Sequence, residues 1–141
     1  MSGSDLSGEL LLATERLADT VERETESLRA ARFDELDALK EEKAQLTVAY
    51  ETRLIAFRSQ PLGAVQLDPV TREALLQAGQ RLRHAASVNA RAIEAARSMT
   101  TQLLGAVAKA AAADRPQGYA APSAAPRKSA AALSLSFDRR L

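Results

Sequence analysis

At 141 residues the chain suits one domain of ordinary size with a tail, and its 4% aromatic content against 46% hydrophobic excludes a wide, aromatic-rich core. The absence of cysteine excludes disulfides, thiolate metal sites and cysteine nucleophiles. A net charge of only +1 argues against a general nucleic-acid binder, whose mark is a strong basic excess on one face, so nucleic acid is not an expected partner.

The opening "MSGSDLSGELLL" has neither the basic region nor the apolar run of a secretory signal. No segment approaches the roughly 20 apolar residues that span a bilayer, so a soluble, cytoplasmic protein is expected. From 5 to 58 there is no proline and only Gly8. Apolar residues recur at Leu6, Leu10, Leu17, Val21, Leu28, Leu36, Leu39, Leu46, Tyr50, Leu54 and Phe57, in steps that are mostly threes, fours or their sums. That is the helical period, and it predicts one continuous helix over about 5–58. The alternative is a break near Phe33, with Asp34 capping a new helix and Asp37 three residues on, loosely as in a capping box.

"SQPLGAVQLDP" then interrupts the pattern with Pro61, Gly63 and Pro69. Asp68 before Pro69 is a helix start: a carboxylate at the N-cap, then proline where its missing N–H costs nothing. A second helix is predicted over 69–113. Its seam runs Leu75, Gly79, Leu82, Ala86, Asn89, Ile93, Ala96, Thr100, Leu103, Val107 and Ala110, alternating steps of four and three in the manner of a heptad repeat.

Charge divides between these segments: net −5 over 5–58, net +3 over 68–113 and net +3 over 114–141. Opposite signs favour the two helices folding back on one another. The expected fold is therefore all-α, a long antiparallel helical hairpin resembling a coiled-coil bundle over 5–113. A wide apolar stripe on each of only two helices leaves surface uncovered, so a further helix is wanted from a second copy, the chain's own end or another protein.

Pro116, Gly118, Pro122 and Pro126 among alanines and serines predict a disordered tail over 114–141, ending in "ALSLSFDRRL", a short apolar-then-basic stretch with the look of a docking peptide. Tyr119 is one of only two tyrosines and lies in that tail.

Chemistry is sparse. His84 is the lone histidine and makes no metal-ligand spacing. The acidic clusters "ERETE" and "KEEK" read as solvated helix faces with neighbours paired three or four residues apart. No phosphate loop, nucleophile elbow or metalloprotease signature occurs, so neither an enzyme nor a cofactor is expected. Arg81, Arg83, Arg91 and Arg97 give the second helix a basic side whose expected use is compensation of the acidic first helix. Asn89, in the seam, reads as a register-fixing polar residue or as a hydrogen-bonding group for a bound helix.

"LRAARFDELDALKEEKAQL", at 28–46, resembles the first-helix signature of flagellar type III export chaperones of the FlgN type, a pattern "L..L...K..L" met here by Leu36, Leu39, Lys43 and Leu46. The family's second long helix carries an asparagine followed by spaced apolar residues, similar to Asn89, Ile93, Leu103, Leu104 and Val107. Its tail tyrosine near glycine resembles Tyr119 beside Gly118, although the glycine usual after that tyrosine is replaced here by alanine, proline and serine.

The resemblance implies a cytoplasmic chaperone that masks amphipathic helices of hook-associated or filament-related subunits before export. Leu82, Asn89, Ile93, Leu103, Leu104 and Val107 would be the client-binding residues. Tyr119 would dock the loaded complex on the cytoplasmic domain of the export gate. Two other functions fit the same stripes: a scaffold whose hairpins form a homodimeric four-helix bundle, and a phasin-like coat that lays an amphipathic face on a granule.

Overall fold

The apolar positions of the first half do share a helix face, but two helices carry them. The computed structural model describes residues 3–61 and 67–114, and among these it is all-helical: α1 spans Gly3–Arg29, α2 Leu36–Arg58 and α3 Pro69–Ala113. The expected continuous helix over 5–58 is thus corrected. Its end after Arg29 is a Schellman turn: the Arg32 N–H donates to the Ser27 carbonyl at 2.9 Å and the Ala31 N–H to that of Leu28 at 3.2 Å. The left-handed residue such a turn needs is Ala31, at φ 56°, where glycine is usual.

The helix break near Phe33 is real, but its cap is not Asp34. Glu35 holds the N-cap position without a side-chain cap bond. Its carboxylate reaches back across the turn instead, accepting from Ser27 Oγ at 3.0 Å and from Arg32 Nε at 3.3 Å.

α1 and α2 run antiparallel. Thr20 Oγ1 donates to Glu42 Oε1 at 3.1 Å and Ser27 Oγ to Glu35, so numbers rise along one helix as they fall along the other. This pair makes the closest backbone approach between helices, and α1 carries several small buried residues, among them Ser7, Ala13, Ala18 and Thr20. α3 begins as expected: the Thr71 N–H donates to Asp68 Oδ1 at 2.6 Å, with Pro69 as first helical residue. Arg81 meets Asp19 and Glu22 while Asn89 meets Glu24 and Thr25, so α3 lies parallel to α1 and antiparallel to α2.

These contacts make an up-down-up bundle of three helices within the unit Met1–Ala92. Its centre is Leu17, Val21 and Ala85, with Leu46, Tyr50 and Leu82 packed against them. The helix that a two-helix hairpin lacked is supplied by the break at 30–35. A second unit, Ile93–Leu141, begins inside α3, so the division does not follow the expected boundary at 114. Of the expected tail, residues 115–141 lie outside the described residues.

Candidate functional site

A polar layer crosses the bundle where the apolar core thins. The Glu24 carboxylate is 0% exposed, although "ERETE" reads as a solvated face. Its Oε1 accepts from Lys43 Nζ at 2.8 Å and from Asn89 Nδ2 at 2.9 Å, joining all three helices through one oxygen. Asn89 Nδ2 also donates to Thr25 Oγ1 at 3.1 Å, and that hydroxyl donates in turn to the Val21 carbonyl. Lys43 is correspondingly withdrawn, with 17% of its side chain exposed. Glu24 Oε2 is buried with no hydrogen-bond partner among the described residues.

These three polar side chains occupy seam positions. Glu24 falls in the series Leu17, Val21, Glu24, Leu28; Lys43 falls between Leu39 and Leu46; Asn89 falls between Ala85 and Ile93. A charge, its counter-charge and an amide in facing seams satisfy each other only at one register. Sequence reasoning gave the register role to Asn89 alone and left Glu24 and Lys43 in solvent; their seam spacing was the available signal.

At the surface of the same unit Arg81 donates to Glu22, with Nε at 3.0 Å and Nη2 at 2.8 Å, and to Asp19. The bonds to Glu22, then those to Asp19, hold its guanidinium well above the usual arginine range. For Arg81 this is the compensation of the acidic first helix expected of the basic side of α3, whereas Arg97 pairs with Glu94 of its own helix. His84 is exposed and lines an open cleft of about 270 Å³ with Glu22, Glu26, Arg29 and Val88. No group of three or more potential metal ligands occurs among the described residues, and none of their helices is long and apolar enough to cross a membrane.

The residues proposed to bind a client helix separate into two sets. Leu82 is half-buried against the bundle core, and Asn89 and Ile93 are buried. Both donors of the Asn89 amide are used within the bundle, which leaves none for a bound helix. Leu103 and Val107 are 65% and 58% exposed, with Leu104 half-buried beside them. Met99 is 70% exposed and was not counted in the seam.

The seam itself is rotated from its expected position. Ala85 is buried where Ala86 was expected, and Ala86 is exposed; in the second unit Ile93 is buried and Ala96, Thr100, Leu104 and Ala108 are half-buried. Met99, Leu103 and Val107 therefore form an exposed stripe at four-residue steps beside that seam. Tyr119 lies outside the described residues.

No protein-family model, curated protein or solved structure matches the chain.

Proposed function

We propose that the protein is a helix-binding export chaperone of the flagellar type III kind. It masks the amphipathic terminal helix of a hook-associated or filament-related subunit before secretion, in the cytoplasm. The reading joins the resemblance in 28–46 and along α3 to one structural observation: the exposed stripe Met99, Leu103 and Val107. Apolar anchors at four-residue steps on a long helix are what a second amphipathic helix packs on.

In this reading the client contacts are Leu103, Val107 and Met99, flanked by Leu104. Leu82, Asn89 and Ile93 build the interior instead. Tyr119 then serves to dock the loaded chaperone on the cytoplasmic domain of the export gate, its ring entering an apolar pocket with little conformational entropy to lose.

The test is capture of export subunits from flagellated cells by the wild-type chain and by Leu103→Asp, Val107→Asp and Tyr119→Ala. The two aspartate variants should lose hook-associated or filament subunits while keeping the helical content of the wild type, because both residues are exposed. Tyr119→Ala should keep the subunits and lose the export gate. Undiminished capture by both aspartate variants would sink the client face.

A further inference from the structure

The exposed residues of the second half of α3 have a pattern of their own. Met99, Leu103, Ala106 and Ala110 follow one another at steps of four, three and four, and all four are exposed. That is a heptad seam, with its two large residues first and its two alanines after. We infer that this seam is a self-complementary interface on which a second copy of the chain docks antiparallel, Met99 opposite Ala110 and Leu103 opposite Ala106.

The order of sizes selects both the occupant and the direction. Antiparallel pairing of two identical seams sets each large residue against an alanine, and the two-fold axis repeats both contacts, so helix separation stays constant along the interface. Parallel pairing would put Met99 on Met99 and Leu103 on Leu103, then alanine on alanine, forcing the helices to splay. Foreign helices have no reason to match this sequence of sizes, whereas a second copy matches it by symmetry.

Charge permits the arrangement. Between Ser98 and Ala113 the one charged residue is Lys109, which the pairing sets level with Thr100 of the second copy. Arg97 is already joined to Glu94 of its own helix at 3.4 Å and lies level with Ala112. In this register the end of α3, Ala113, reaches the level of Ala96, so about 18 residues are paired over roughly 26 Å. With Val107 on its flank the interface would bury on the order of 1,000 Å² in total, near the floor for a specific contact. A monomer–dimer equilibrium that moves with concentration is therefore expected rather than a permanent dimer.

The pairing does not rest on the client reading. Where both hold, the second copy covers Leu103 and Val107 until a client displaces it, which makes self-association and client capture mutually exclusive.

Sedimentation equilibrium of the purified full chain over a wide concentration range tests the proposal, with a swap of sizes as its control. Leu103→Ala removes the knob and Ala106→Leu sets leucine against leucine, so each alone should weaken dimerisation about tenfold or more. The double variant restores a large-to-small contact at both symmetric positions and should return to within about threefold of wild type. All sites are exposed, and unchanged helical circular dichroism and thermal midpoint would show that the fold is intact. A chain that stays monomeric throughout, or a double variant no better than the singles, overturns the inference. Since only purified protein is used, either result leaves client capture untouched.

Discussion

Replacing Lys43 by methionine keeps the length and most of the packing of the side chain and removes one charge. Glu24 then remains fully buried, with Asn89 Nδ2 as the remaining donor of the two now on Oε1 and no partner on Oε2. Removing one member of a buried pair costs about 3–5 kcal/mol, because the survivor stays uncompensated. Lys43 is 17% exposed, so water reaches the pair from one side and the low end of that range, about 3 kcal/mol, is the expectation. Against a total stability of about 5–15 kcal/mol, that is a large share.

The second half of the test is the double variant Glu24→Leu with Lys43→Met. It removes the buried charge together with its counter-charge and should recover most of the loss, leaving the smaller cost of an Asn89 amide without its carboxylate, about 1–2 kcal/mol. Urea unfolding followed by helical circular dichroism measures both, with an unchanged slope confirming that the same surface is exposed. A Lys43→Met variant within about 0.5 kcal/mol of wild type would refute the reasoning: Glu24 would not depend on its ion pair, and the polar layer would not fix the bundle.

Three further outcomes are expected. Ala31→Gly should stabilise the protein by about 0.5–1 kcal/mol in the same assay, because φ 56° strains an alanine and suits a glycine, less the glycine's larger unfolded-state entropy. Arg81→Ala should cost no more than about 1 kcal/mol, since all three charges of its cluster are exposed, and the loss should shrink in high salt. Asp68 has its carboxyl held below 3.8, first by the backbone N–H of Thr71 and then by that residue's hydroxyl. A depressed carboxylate stabilises the fold above its unfolded pKa and ceases to do so as pH falls through the folded value. Asp68→Asn should therefore melt below wild type at pH 7, and the gap should close below about pH 3.8; a gap that persists in acid would mean that charge at this cap is irrelevant.

The start and end of α3 were legible because both rest on local chemistry, Asp68 before Pro69 at one end and the loss of helix formers after Ala113 at the other. The break after Arg29 stood only as the alternative to a continuous helix, for two reasons. Leu28, Leu36 and Leu39 keep helical spacing straight across the turn, so periodicity reads through it. The left-handed position is filled by Ala31, and the glycine that would have marked it is absent. Of the residues expected to meet a client, Leu103 and Val107 are exposed together, whereas Leu82 packs on the core and Asn89 and Ile93 are buried. Missing from the reading was the small rotation of the buried seam, from Ala86 to Ala85, which depends on how three helices share a core rather than on any one helix.

That rotation and the polar layer explain each other. α1 has 27 residues and α3 has 45, so a parallel neighbour of that length lines no more than about 27 positions of α3 and leaves some 18 to other uses. Which positions are left over depends on register. Moving α3 by one turn along α1 would bring Ala85 or Ile93 level with Glu24, and the buried carboxylate would lose an amide donor for an apolar side chain, a change costing several kcal/mol in a core this thin. The layer of Glu24, Lys43 and Asn89 thus does more than tolerate buried polarity. By fixing where the bundle takes hold of α3, it fixes that Ala85 and Asn89 are spent on the interior.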